Sequence, residues 1–129
     1  MTGTLRIGLL VLVLASCSEN FDYINPETFN ASIKDKTDIQ SAEQLISLYY
    51  NYPEKEGAPH ITINIKKITG NTLEITMIHD NQEDDSQRAI KIIMIAQHLN
   101  RKWKVLEIKK NWKCWNGRGH TNWGTKYCN

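Results

Sequence analysis

Apolar and polar residues alternate along two stretches in the middle of the chain. Residues 61–66 have the sequence Ile-Thr-Ile-Asn-Ile-Lys, and after a Thr-Gly-Asn turn at residues 69–71 the alternation returns over residues 73–77. A period of two is typical of β-strands that bury one face. These residues therefore predict two strands joined by a short hairpin.

Two more strands are predicted further along the chain. Residues 88–99 carry apolar side chains on both sides of the predicted strand, which is typical of a strand in the centre of a sheet. A turn at residues 100–101 separates it from a fourth strand over residues 103–110. The pattern predicts a four-stranded antiparallel meander.

One or two helices are predicted before these strands. An Asn-Pro pair at residues 25–26 suits a helix cap and first turn, and this short helix is expected to run to about residue 33. Ser41 and Gln44 have capping-box spacing, and they open a second helix that ends before Pro53. Its apolar face is formed by Ala42, Leu45, Ile46, Tyr49 and Tyr52.

The predicted fold class is thus α+β, with one or two N-terminal helices, a four-stranded antiparallel meander and a disulfide-closed C-terminal loop. This order of elements resembles that of cystatin-like and NTF2-like domains, in which a curled sheet wraps a helix. The resemblance rests on element order alone. It implies a fold, but no activity, because the same fold supports many functions.

The first 17 residues resemble a bacterial lipoprotein precursor. Arg6, the apolar run at residues 7–14 and small residues after it are typical of a signal peptide over residues 1–16. The run is too short for a membrane-spanning helix. Leu14-Ala15-Ser16-Cys17 resembles the lipobox, which implies that the Cys17 thiol carries lipid and becomes the new N-terminus.

This resemblance implies a location in the cell envelope, and Ser18 in place of aspartate favours the outer membrane if the host has one. We expect a lipidated tether over residues 17–25 and a single small domain over residues 26–129. The alternative is an ordinary secretory signal cut near Ser16, which would leave Cys17 as a free thiol.

The other two cysteines, Cys114 and Cys128, form an even pair once Cys17 is assigned to lipid. An exported protein permits disulfides, so we expect these two to be bonded. The alternative is a zinc site with His120, but the spacing lacks a C-x-x-C pair and an evident fourth ligand. We predict no metal and no cofactor.

Basic charge is concentrated near the C-terminal end. Residues 101–129 contain eight Lys/Arg and one Asp/Glu, a net charge of +7, whereas residues 17–56 contain three and eight, a net charge of −5. Aromatic residues interleave with the basic ones, as in surfaces that bind acidic proteins, anionic glycans or lipid headgroups. Nucleic acid is not expected for an exported protein. The predicted contacts are Trp115, Arg118, His120 and Trp123. In the alternative, the tryptophans pack over the end of the sheet.

Catalytic signals are weak. His79 and Asp80 could act as a general base, but no nucleophile accompanies them in a recognisable motif. Residues 80–85 contain oxygen ligands for calcium but lack the glycine of a calcium loop. We predict a lipid-anchored, non-catalytic envelope protein, of an accessory or immunity type, that binds a partner. The alternative is a small NTF2-like enzyme or ligand-binding domain whose concave sheet face holds Tyr49, His79 and Asp80.

Overall fold

A sheet of five antiparallel strands dominates the protein, with two short helices packed against it. The computed structural model describes residues 18–51 and 60–129. Across the sheet the strand order is β1-β5-β4-β3-β2. In chain order the elements are β1 (Asp22–Ile24), α1 (Glu27–Ile33), α2 (Ala42–Tyr50), β2 (His60–Thr69), β3 (Thr72–Asp80), β4 (Gln87–Leu99) and β5 (Lys102–Cys114). The predicted signal peptide, Cys17, Tyr52 and Pro53 lie outside the described residues.

The predicted fold class is wrong, because a fifth strand precedes the helices. β1 pairs antiparallel with β5, with Tyr23 opposite Lys109 and Ile24 opposite Ile108. A strand of three residues is too short to show alternation in the sequence. β1 is held by its pairing with β5, which lies far from it in the sequence. No local sequence pattern could therefore predict β1. The resemblance to cystatin-like and NTF2-like domains depended on the predicted order and falls with it.

The second helix begins as its sequence predicts, whereas the first begins at Glu27 with Pro26 as its N-cap, one residue later than predicted. The Asn25 side chain accepts a hydrogen bond from the backbone two residues on, at 3.0 Å. Ser41 accepts one from the backbone N–H of Gln44 at 3.2 Å, while the Gln44 side chain accepts one from the Gln40 N–H at 2.6 Å. α2 ends at Asn51, whose left-handed backbone turns the chain away. Neither helix in the described part of the chain has the length and hydrophobicity of a membrane span.

The core lies between the helices and one face of the sheet. Directly paired residues of neighbouring strands project to the same face. Ile75, for example, lies opposite Met94, and both are fully buried. From the helical side the core receives Ile33, Ile39, Ala42, Leu45 and Ile46, and from the sheet Ile75, Met77, Ile92, Met94, Ala96, Trp103, Val105 and Ile108.

β4 lies in the middle of the sheet, as its two-sided hydrophobicity indicates. It pairs with β3 on one side and β5 on the other. α1 reaches the sheet at β5, where the Asn30 side chain donates to the Val105 carbonyl and accepts from the Val105 N–H, both at 2.8 Å. Asn30 thereby provides hydrogen-bond partners for the backbone of Val105, a part of β5 that β1 is too short to reach.

Burial on α2 can be tested with a matched pair of leucines. The Leu45 side chain is 0% exposed and Leu48 is 50% exposed. We expect Leu45→Ala to lower the free energy of unfolding by about 2–5 kcal/mol, because it removes buried methyl groups and leaves a cavity. Leu48→Ala should change it by less than about 0.5 kcal/mol. Urea denaturation measures both, and equal losses would contradict the placement of the core.

Candidate functional site

The C-terminal segment, residues 115–129, folds back against the end of β5. Trp112 and Gly124 exchange two backbone hydrogen bonds, at 2.9 and 3.0 Å. The disulfide between Cys114 and Cys128 is confirmed, with Cα atoms 5.5 Å apart. Closing a loop of this length stabilises a protein by about 3 kcal/mol in the chain-entropy model. The segment is thus a braced part of the fold.

The glycines in this segment allow the tight path beside the disulfide. Gly117 and Gly119 have φ values of +83° and +146°, which other residues rarely adopt. A Cβ on Gly119 would also lie 2.9 Å from the Cys114 sulfur. Between these glycines, Arg118 is exposed to solvent. It makes no salt bridge within residues 18–51 and 60–129.

Trp115 and His120 are half-buried and hydrogen-bonded within the protein. The Trp115 indole donates to the Asp84 carbonyl at 2.6 Å. The two ring nitrogens of His120 lie 2.7 Å from the Asn122 carbonyl and 2.8 Å from the Lys126 carbonyl. Both partners are acceptors, so a ring nitrogen that carries a proton donates to the carbonyl that it faces. These two predicted contacts brace the segment through their polar atoms.

The zinc alternative involves the same region. Cys114, His120 and Cys128 bring their sulfur and ring nitrogen atoms within 4.8 Å of one another. Zinc binds thiolates, however, and the disulfide uses both sulfurs. In the oxidised protein this cluster therefore lacks the ligands that zinc requires.

Trp123 belongs to a row of alternating cations and rings on the sheet face opposite the helices. The ammonium groups of Lys113 and Lys91 lie 4.6 and 4.5 Å from the centre of the Trp123 ring. Those of Lys91 and Lys109 lie 5.7 and 4.7 Å from the centre of the Phe21 ring. Such contacts stabilise a cation by the negative face of the ring. The row brings Trp123 together with four residues that the sequence analysis did not select.

A polar network lies beside this row, with Lys91 and Asn111 buried and Glu19 exposed. Lys91 is 9% exposed, and its ammonium group bonds the Glu19 carboxylate at 2.5 Å. The Asn111 side chain is buried and donates to Glu19 and to the Asn20 carbonyl, each at 3.1 Å. Burial alone would raise the pKa of Glu19, but hydrogen bonds from Lys91 and Asn111 and the charges of Lys91 and Lys113 hold it below its ordinary value. Glu19 is therefore ionised and fixes the start of the described chain.

A groove of about 360 Å³ opens beside this network. It is lined by Ser18, Glu19, Lys113, Asn122 and Trp123. The sequence contains one signal for this region: Lys91 is the only charged residue in the otherwise apolar stretch of residues 89–96. A single charge in a central strand needs a counter-charge, but the sequence pattern does not identify the residue that provides it.

The acidic residues between β3 and β4 are used in the turn that joins them. One carboxylate oxygen of Asp84 accepts from the backbone N–H groups of Gln87 and Ser86, at 2.7 and 2.8 Å. These hydrogen bonds lower the pKa of Asp84. Asp80 accepts from the Asn81 N–H at 2.7 Å. Among the described residues, the carboxylates of this turn form no cluster of metal ligands, so nothing favours the calcium alternative.

The residues proposed for a concave pocket make the following contacts. The Tyr49 ring packs edge-on against Phe29, with centres 5.2 Å apart. Tyr50 instead approaches His79, with its hydroxyl 2.8 Å from the ring Nδ1. Gln82 donates to the same hydroxyl at 3.2 Å. Burial lowers the pKa of His79, and the opposing effect of Asp80 is smaller.

The lowered pKa of His79 predicts a pH dependence of stability. The unfolded chain takes up a proton near pH 6.5, before the folded protein does. The contribution to stability is therefore complete above about pH 7 and is lost as the pH falls through the folded pKa. Urea denaturation between pH 7 and 5 should show this loss as a fall in the free energy of unfolding. His79→Gln should make the dependence of that free energy on pH less steep. An unchanged slope in the variant would contradict a neutral His79 in the folded protein.

Comparisons with known proteins add no assignment to this site. The chain matches no known protein family, and searches of the curated proteins and of the solved structures found no match.

Proposed function

We propose that this protein is a lipid-anchored, non-catalytic component of the bacterial cell envelope that presents its C-terminal segment to a partner. The disulfide between Cys114 and Cys128 is the observation that carries the proposal. Disulfides of this kind persist in oxidising compartments and are rare in the cytosol. The disulfide therefore supports export of the protein. Export is also what the lipobox that ends at Cys17 implies.

Lipidation of Cys17 accounts for the third cysteine. Several acyl chains would hold the protein on a membrane almost irreversibly. The outer membrane remains the favoured location in a host that has one, since Ser18 stands where an inner-membrane retention signal would place aspartate.

The core between the helices and the middle of the sheet is compatible with a role without catalysis. Ile75, Met77 and Met94 are fully buried there, so side chains fill the part of this face that β3 and β4 form. The proposed enzyme or ligand-binding alternative required an enclosed site around Tyr49, His79 and Asp80. Tyr49 packs against Phe29 instead.

Partner binding is centred on Arg118. Its side chain is exposed on a loop that the disulfide and two glycines hold in place, and no salt bridge to the described residues neutralises it. A guanidinium group presented on a rigid loop binds carboxylates with little loss of conformational entropy. Trp115 and His120 hold this region in place through hydrogen bonds to backbone carbonyls. An acidic protein or an anionic glycan fits this chemistry, in an accessory or immunity-type role.

Acylation of Cys17 tests the anchor. We expect mass spectrometry of membrane-extracted protein to find a mature chain that begins at Cys17 and carries the added mass of acyl chains. Cys17→Ser removes the thiol that is acylated, so this control should lack that mass. A chain that begins at Cys17 with a free thiol would contradict the proposed anchor.

Arg118→Ala tests the contact surface. Loss of a central charged contact typically weakens binding by about tenfold or more, so recovery of the partner from solubilised envelope should fall accordingly. The control is Lys104→Ala, which removes an exposed cation from β5 near the opposite end of the sheet. Equal recovery with both variants would remove Arg118 from the interface.

A further inference from the structure

The first described residues of the chain are packed against the sheet at one fixed place. Glu19 is bonded to Lys91 and Asn111, and the Phe21 ring lies between two lysines. β1 begins directly after them. Ser18 is consequently held beside Lys113, Asn122 and Trp123, with which it lines the groove of about 360 Å³.

This position bears on the proposed anchor. Ser18 is the residue that follows Cys17 in the chain, so a lipid on Cys17 would be joined to the domain through Ser18. If Cys17 carries lipid, the acyl chains leave the domain at this point. The bilayer surface then lies alongside the groove, and the groove meets phospholipid headgroups at high effective concentration.

Three polar groups of the groove are free to donate. No hydrogen bond joins the Lys113 ammonium group, the Asn122 side-chain amide or the Ser18 hydroxyl to an acceptor within the described residues. The one carboxylate in the groove, that of Glu19, is bonded to both Lys91 and Asn111 through a single oxygen, Oε2. An ammonium group and neutral donors around an open groove are suited to phosphate oxygens.

Trp123 limits the freedom of the lysine. Its ring centre lies 4.6 Å from the Lys113 ammonium group and 4.5 Å from that of Lys91. An ammonium group held over a ring loses less conformational entropy when it binds a ligand than a free one does. The groove thus has a positioned cation at its wall, and the volume of the groove lies within the range of small-molecule sites.

We propose that this groove binds the phosphate group of an anionic phospholipid in the membrane that carries the anchor, an inference that rests on the proposed lipidation of Cys17. Lys113 supplies the charge, and Asn122 and Ser18 donate hydrogen bonds. With the lipid on Cys17, this second attachment sets the orientation of the domain on the membrane. The face with Trp123 is turned to the bilayer, and Arg118 is left to the partner.

A lipid titration tests the groove. Full-length protein extracted in a neutral detergent is titrated with dihexanoyl phosphatidylglycerol, while NMR follows the Trp123 indole and the Asn122 amide, with the indole assigned from Trp123→Phe. We expect saturable shifts of both signals. Dihexanoyl phosphatidylcholine, whose choline cation Lys113 repels, should give much weaker shifts.

Variants of Lys113 separate this site from general charge attraction. One lysine near an anionic lipid contributes enough that Lys113→Gln should weaken binding by at least about fivefold. Lys113→Arg should retain most of the binding. Lys104→Gln, a matched change at an exposed lysine of the same strand, should leave it unaffected. Equal affinities for Lys113→Gln and the unaltered protein would overturn the proposal.

Two further arms identify the source of the phosphate and separate the two proposals. Inorganic phosphate that binds as tightly as the phospholipid would overturn the lipid assignment, whereas weaker binding supports it. The mass of the same preparation reports acylation of Cys17 independently. An acylated chain without saturable shifts overturns the groove alone. Saturable shifts in a chain without acylation overturn the anchor, and with it the membrane orientation.

Discussion

The central strand β4 is stable only when both of its sides are covered, and the rest of the domain provides that cover. On one side Ile92, Met94 and Ala96 are buried beneath the helices. On the other side Ala89 and Lys91 are buried as well, although neither of the two described helices lies there. Phe21 and Trp123 reach Lys91 from the two ends of the described chain. The need to cover β4 thus brings residues 18–21 and the C-terminal segment together.

Lys91 determines which residues cover the side of β4 that faces away from the helices. A buried ammonium group is costly unless a counter-charge and hydrogen bonds accompany it. Glu19 supplies the carboxylate, Asn111 bonds the same carboxylate, and two aromatic rings face the cation. Residues 18–21 therefore belong to the folded domain. If the chain is anchored at Cys17, little free tether separates the domain from the lipid.

The fold also redistributes the basic charge of residues 101–129. Along the sequence these cations form one run, which suggests a single surface. In the structure Lys109 and Lys113 lie over aromatic rings beside the N-terminal residues, while Trp115 bonds the acidic turn at Asp84. Arg118 lies apart on its loop. One predicted surface becomes two, a groove beside Ser18 and an exposed guanidinium group, and the proposed membrane and partner contacts divide between them.

The sequence by itself determined the start of α2, the strands β2 to β5 and the pairing of Cys114 with Cys128. Each of these depends on residues near in sequence, or on cysteine parity and the redox state of a compartment. Only the tertiary structure decided β1, the surroundings of Lys91 and the groove. Glu19 lies 72 residues from Lys91 and 92 residues from Asn111, so their contact leaves no periodic trace. Lys91 marks a need for a counter-charge within an apolar strand, but only folding determines which carboxylate meets that need.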